Sequence, residues 1–310
     1  MRCAATWRFE NVALLLPEIE VNAAAPKSRP ELVTPQRLAP AHAETPPARL
    51  LFQRVGDRTV VGRCYATSPL RILTPRNHGH AAWAYTSTLG GGLVDGDRIR
   101  LEVGVGEGAG AVLSSQGETR VYRSPRGCRS DLFARVENNA LLAVLPDPTV
   151  CFAGARYQQR TEIVLAPGAA LVLVDAFLSG RSARGERWAF GRYASELILR
   201  LGDRVILAEK VLLDPEHGSI AERFGRFDVF ATVLIAGDRL RLYRDALCRK
   251  LDALPAPPRA RLIESANPLG EHALLIRIAG VSVEDVLRSI RTHLSFLPAL
   301  LGDDPWTRRN

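Results

Sequence analysis

The chain has 310 residues, 46% of them hydrophobic, enough to enclose one large core or two modest ones. Its formal net charge is +8, yet the basic residues are almost all arginine, with lysine only at Lys27, Lys210 and Lys250. They are interleaved with acids, as in Asp238-Arg239-Leu240-Arg241, which excludes a polybasic arm and favours an acidic protein partner over nucleic acid.

Cys3, Cys64, Cys128, Cys151 and Cys248 stand alone with no Cys-x-x-Cys pair. That pattern speaks for a reducing compartment and against a disulfide framework or structural zinc. No apolar run approaches the ~20 residues needed to cross a bilayer. The only early apolar run, Val12–Leu16, is too short for a secretory leader and is followed by Pro17. The expectation is a cytoplasmic protein without a membrane partner.

In chain order, residues 1–47 are rich in Ala and Pro and lack periodicity, so they are predicted to be a disordered extension. Residues 48–301 form the folded domain and 302–310 a tail. Leu50–Val55, a Gly56-Asp57 turn and Thr59–Tyr65 predict a hairpin, followed by strands over Leu70–Leu73 and Ala81–Leu89. A glycine loop, Leu89-Gly90-Gly91-Gly92-Leu93-Val94-Asp95-Gly96-Asp97, then opens a block of β runs: Arg98–Val105, Ala111–Ser114, Leu132–Val136, Leu141–Leu145, Glu162–Leu165 and Ala170–Val174. Three turns in it carry a small pair at the tip, Gly108-Ala109, Asn139-Ala140 and Gly168-Ala169, spaced by roughly thirty residues. Two readings stay open: an antiparallel domain with hairpins of similar length, or a solenoid-like stack.

Trp188–Tyr193, Glu196–Leu201, Val205–Leu207 and Val211–Leu213 read as further strands, and Phe227–Ile235 as a buried one. The period then changes. Asp238 is placed to cap a helix whose stripe is Leu240, Tyr243, Leu247, Leu251 and Leu254, stopped by Pro255, Pro257 and Pro258. After a strand at Leu274–Ile278, Ser282 caps a second helix with Glu284 and Asp285 in its first turn. The fold class is therefore mainly β, with stacked sheets and two C-terminal α-helices.

The residues offer no catalytic constellation. The glycine loop lacks the Gly-Lys-Ser/Thr ending of a nucleotide cradle and runs into alternating Ile99, Leu101, Val103 and Val105. His78-Gly79-His80 has no third ligand at helical or hairpin spacing, and His42, His217, His272 and His293 are isolated, His293 on the apolar side of the last helix. There is no Gly-x-Ser-x-Gly elbow. Asp95 with Asp97, or Asp175 with Glu186, could do acid–base work only if they converge. Asp147 is fixed in orientation by Pro146 and Pro148, which suits a turn acceptor. Chemistry alone leaves a scaffold or adaptor, with a β-rich nucleic-acid-binding protein or a hydrolase as rivals.

Gly91-Gly92-Leu93-Val94-Asp95-Gly96-Asp97, Ser115-Gln116 leading to Arg120-Val121-Tyr122-Arg123-Ser124, Leu145-Pro146-Asp147-Pro148-Thr149-Val150 with Phe152-Ala153-Gly154-Ala155-Arg156, and Gly180-Arg181 with Gly185-Glu186 resemble, in order and spacing, the UreD (UreH) family. The likeness covers about Leu50 to Leu301. It implies a non-enzymatic urease maturation factor of mostly β fold that binds apo-urease on one side and UreF on the other. UreF in turn recruits the GTPase UreG. The resemblance also implies nickel in transit through an internal polar channel, with no cofactor tightly bound. A route must hold Ni²⁺ weakly enough to release it, which favours spaced carboxylates and amides over a Cys/His cage. Asp97, Gln116, Glu118, Asp147 and Glu186 are the polar residues of the motif block that fit this description.

Overall fold

The computed structural model describes residues 46–76, 79–255 and 257–307; the extension up to residue 45, with His42, and His78 of the paired-histidine motif lie outside the described residues. The first strand, β1 (Ala48–Val55), turns at Gly56 into β2 (Arg58–Tyr65), and β3 (Leu70–Leu73) precedes β4 (Ala82–Thr88). Then a repeat begins. The strands β5 (Arg98–Val105), β6 (Gly110–Ser115) and β7 (Thr119–Val121) form one coil, and β8 (Cys128–Val136), β9 (Leu141–Leu145) and β10 (Thr149–Cys151) the next. A third coil comprises β11 (Arg156–Leu165) and β12 (Ala170–Leu178), after which come β13 (Arg192–Leu201) and β14 (Arg204–Leu213). The remainder holds β15 (Val229–Ala236), β16 (Leu262–Leu269) and β17 (Ala273–Gly280), with helices α1 (Ile220–Phe224), α2 (Arg241–Asp252), α3 (Val283–His293) and α4 (Leu297–Leu301).

Successive strands of a coil belong to different sheets. The first sheet runs β14-β13-β11-β8-β5-β1-β2, and the second β16-β17-β15-β12-β9-β6-β4-β3, with β7 and β10 making a small third side through β12. The pairings β1–β5, β5–β8, β8–β11 and β11–β13 are parallel, as are β4–β6, β6–β9 and β9–β12. The structure is thus a solenoid-like stack closed at its ends by antiparallel strands, and the hairpin alternative is set aside. The turns with small pairs are the places where the chain crosses between sheets. They lie directly over one another: Leu141 N–H donates to Ala109 O at 2.9 Å and Ala170 N–H to Ala140 O at 2.9 Å. Ala109, Ala140 and Ala169 are 1%, 0% and 2% exposed, so a larger side chain has nowhere to go. Asn139 adopts the left-handed conformation at φ 56°, which Asn tolerates better than most residues.

Three apolar bodies hold the stack. One fills the space between the sheets, including Leu50, Phe52, Val103, Leu142, Ile163 and Leu171. A second lies between the outer face of the second sheet and the helices, with Trp83, Val233, Ile276, Val286 and Leu294. The third is aromatic: Phe177 stacks on Tyr193 at 4.6 Å, and Trp188 on Phe224 at 4.4 Å. No described helix is long and apolar enough to cross a membrane.

Some local expectations are corrected. Trp188 is not in a strand: it sits at φ 55° in a turn, because burial against Phe224 outweighs its β propensity, and β13 begins only at Arg192. The runs at Val205–Leu207 and Val211–Leu213 are one strand, β14, whose register shifts opposite Leu199/Arg200. Asp238 makes no side-chain cap; a 3₁₀ turn, Asp238–Leu240, leads into α2 instead. Ser282 does cap α3, accepting from Asp285 N–H. Edge strand β16 lacked a sequence signal because it contains Asn267 and Pro268, and an edge position tolerates the missing donor.

Enlarging the tip of a crossing turn should break the stacking. Ala140→Leu is expected to lower the unfolding free energy by about 1–3 kcal/mol, read from urea denaturation, through overpacking between Ala109 and Ala169.

Candidate functional site

Every second residue of a strand faces the space between the sheets, and in the middle strands that parity is interrupted by polar groups. On β12 the inward series is Leu171, Leu173, Asp175, Phe177, and on β17 it is Leu275, Arg277, Ala279. Register aligns Asp175 with Thr232 and Thr232 with Arg277 across the second sheet. In the first sheet Gln159 is flanked by Ser130 and Ser195. The two rows meet. The Gln159 amide nitrogen donates to Asp175 Oδ2 at 2.7 Å and lies 3.0 Å from Ser195 Oγ and 3.1 Å from the Tyr193 hydroxyl. Beside them Arg277 Nη2 donates to Glu209 Oε1 at 2.7 Å, side chains 13% and 6% exposed. The result is a polar layer lying between the aliphatic core and the aromatic one.

Among the described residues, this layer has one carboxyl without a cation on it. Burial pushes the Asp175 carboxyl above the usual carboxylate range; hydrogen bonds from Gln159 and Ser195 act the other way, while the charge of Glu209 adds to the rise. Burial likewise raises the hydroxyls of Tyr157 and Tyr193. Below them burial pushes the Cys151 thiol up to about 12, so it behaves as a small apolar group and not as a thiolate ligand.

The layer runs toward the corner between β6 and β7. Leu113, Val144 and Leu173 are in register, and two residues further along their strands come Ser115, Pro146 and Asp175. Ser115 Oγ accepts from Asp147 N–H at 2.7 Å and donates to Asp147 Oδ2 at 3.5 Å, and Gly117 N–H donates to the same oxygen at 3.1 Å. Asp147 therefore fastens this corner, half-buried, with Gln116 and Glu118 exposed next to it. Glu118 pairs with Arg120 at 3.7 Å.

The other candidates lie apart from these. Asp97 Oδ2 accepts from Val94 N–H at 2.8 Å inside the glycine loop, and Asp95 pairs with Arg126 at 2.8 Å. Glu186 accepts from Arg181 Nε at 2.9 Å and from Ala153 N–H at 3.2 Å, and the Arg181 guanidinium holds its carboxyl below the usual range. Asp95 and Asp97, and Asp175 and Glu186, each have their own separate partners. His80 Nε2 lies 2.9 Å from Leu300 O, and His293 is packed, its Nε2 2.9 Å from Glu264 Oε1. Among the described residues no three His, Cys, Asp or Glu side chains gather as a metal site. The layer residues Gln159, Ser195, Glu209 and Arg277 were missed from sequence, although the signal existed: a polar residue on the apolar parity of a strand.

The layer makes two stability predictions. The folded-state pKa of Asp175 lies above its unfolded value, so its contribution is fully present below about pH 4 and is lost as pH rises through the folded value. Asp175→Asn should therefore melt higher than the parent at neutral pH, with the gap closing as pH falls toward 4. Glu209→Gln leaves the Arg277 cation buried without its partner and should cost about 3–5 kcal/mol in urea denaturation, whereas Glu209→Leu with Arg277→Met should recover most of it.

The profile of the UreD urease accessory protein family matches residues 45–309. Urease accessory protein UreD of Sorangium cellulosum (strain So ce56) is 49% identical over 263 residues, covering 84% of this chain and 83% of its own length. UreD of Anaeromyxobacter sp. (strain Fw109-5) is 41% identical, with 84% and 88% covered. Urease accessory protein D of Oryza sativa subsp. indica is 34% identical over 299 residues, 87% and 97% covered. With a match across the whole stack and both C-terminal helices, the chain belongs to the UreD family of urease accessory proteins.

Proposed function

We propose that this chain is a non-catalytic urease maturation factor, acting in the cytoplasm, that binds apo-urease and UreF, and through UreF the GTPase UreG, and lets nickel pass toward the urease site. The observation that carries the reading is the polar layer, because an interior otherwise filled with aliphatic and aromatic side chains has no stability reason to keep an uncompensated carboxyl. Ni²⁺ accepts carboxylate, amide and hydroxyl oxygens. Asp175, the Gln159 side-chain carbonyl and the Ser195 hydroxyl offer such donors without forming a cage, so an ion is bound loosely and released. A cation beside Asp175 would stabilise the ionised form that burial disfavours. Nickel is cargo here, and no tightly bound cofactor is required.

Of the motif-block carboxylates, Asp147 stands at the corner where the layer's row reaches the surface and suits the mouth of the route. Gln116 and Glu118 are exposed beside that mouth, where they would meet the ion first. Asp97 and Glu186 serve the glycine loop and the Arg181 turn.

Asp175→Asn and Asp147→Asn separate transfer from scaffolding. Each keeps size and most hydrogen-bonding capacity while removing the charge. Both should still co-purify with UreF and apo-urease, while urease activation at limiting nickel falls and excess nickel restores it. Because Asp175→Asn is expected to be at least as stable as the parent at neutral pH, lost activation cannot be put down to misfolding. Normal activation at low nickel by both variants would refute the route, and loss of the complexes would move the role to assembly.

A further inference from the structure

The second sheet is covered on its outside by helices, but among the described residues the outward side chains of the first sheet, Ile198 apart, are exposed or half-exposed. Register sets them in rows. One row reads Arg100, Asp131, Arg160, Glu196, Lys210, alternating in sign, and its members are tied by ion pairs such as Arg160–Glu196 at 2.8 Å and Lys210–Glu196 at 3.3 Å. The next row but one reads Arg63, Leu51, Gly104, Arg135. Here Leu51 folds over the glycine, its Cδ1 2.8 Å from where a Cβ at Gly104 would sit, and an open groove of about 720 Å³, lined by Arg63, Leu51 and Gly104 with Arg135 beyond its rim, spreads from this point.

Arg63, and Arg135 from which the row continues through Val164 to Arg200, are exposed and, unlike Arg49, Arg129 and Arg160 nearby, hold no carboxylate among the described residues. The outward carboxylates within the strands of this face, Glu102, Asp131, Glu162 and Glu196, are all engaged by Arg or Lys already. The face is therefore left net positive at Arg63 and Arg135, with the apolar Leu51 side chain between them.

From this juxtaposition we infer that the outer face of the first sheet is a docking surface for an extended acidic segment of a partner protein, with an aliphatic side chain seated against Leu51 and a carboxylate on each of Arg63 and Arg135. The geometry sets the spacing. Three strand steps of about 4.8 Å separate the two arginines, close to the span of four residues in an extended chain, so the segment reads Glu-x-Leu-x-Glu. Nucleic acid fits worse. Phe133, 37% exposed, lies in register between Glu102 and Glu162, so a base stacked on it brings its phosphates against two carboxylates. None of these residues belongs to the polar layer, so this surface stands or falls independently of nickel passage.

The test is fluorescence anisotropy with the full chain and a labelled Glu-Ser-Leu-Ser-Glu peptide. Binding should weaken with added salt and drop at least about tenfold when both glutamates are replaced by Gln. Arg63→Glu with Arg135→Glu should abolish it at an unchanged melting temperature, since both side chains are exposed and without ion pairs; Arg63→Gln with Arg135→Gln should weaken it as well. Arg71→Glu, on the other sheet, should leave it intact. Equal binding of the Gln peptide, no binding at all, or retention by both double variants overturns the inference. Tighter binding of an oligothymidylate, lost in the same variants, overturns it in favour of nucleic acid.

Discussion

The structure depends on one constraint: the coils must stack with their crossing turns superposed. Backbone amides of one turn donate to the carbonyls of the turn before, so the parallel ladders of both sheets are locked to a common register at one edge. A slip of one residue anywhere would exchange the inner and outer faces of a whole strand. The alanines at the tips keep the edge thin enough for this superposition. Because the register is fixed there, the inner rows and outer rows are fixed too, including the polar layer and the arginine row outside it.

Inside, the same register sorts side chains by chemistry. Aliphatic groups fill the end next to the crossing turns and aromatic groups the far end, where Phe177, Tyr193 and Phe230 stack. The polar row lies at the boundary, where Gln159 and Ser195 face Asp175. Buried polar groups persist only when they bond to one another. Here each finds a partner across the sheets, while the acid remains without a positive charge.

Much of this was legible in sequence. The strands β5, β9 and β3 match their predicted bounds, and the small pairs at the turn tips marked the repeat. What could not be read was whether neighbouring strands pair with each other or with the next coil, because both arrangements use the same alternation and turn residues. Ser282 at the head of α3 was readable because a cap is local; Trp188 was misread because its conformation is set by Phe224, which is distant in sequence. The candidate carboxylates were chosen from turns, where acids are common, while Asp175 and Glu209 lay inside apolar strands that pattern reading treats as core. Convergence across two sheets is a property of the tertiary fold, and no single segment carries it.

The pairing of β1 with β5 has a consequence for how the chain is built. Leu50 lies beside Val103 in a parallel ladder, so the first described strand emerges from the ribosome well before its partner exists. Its hairpin with β2 can form at once, but it must hold Leu50 and Phe52 in water until β5 arrives. From then on each new coil finds a finished coil to grow on, about thirty residues back, and assembly proceeds by accretion. The last two helices, α3 and α4, come after every strand and complete the cover on the outer face of the second sheet that α2 begins. Nascent chains truncated before β5 therefore expose an apolar strand edge, which makes early synthesis the stage at which this protein most needs protection from aggregation.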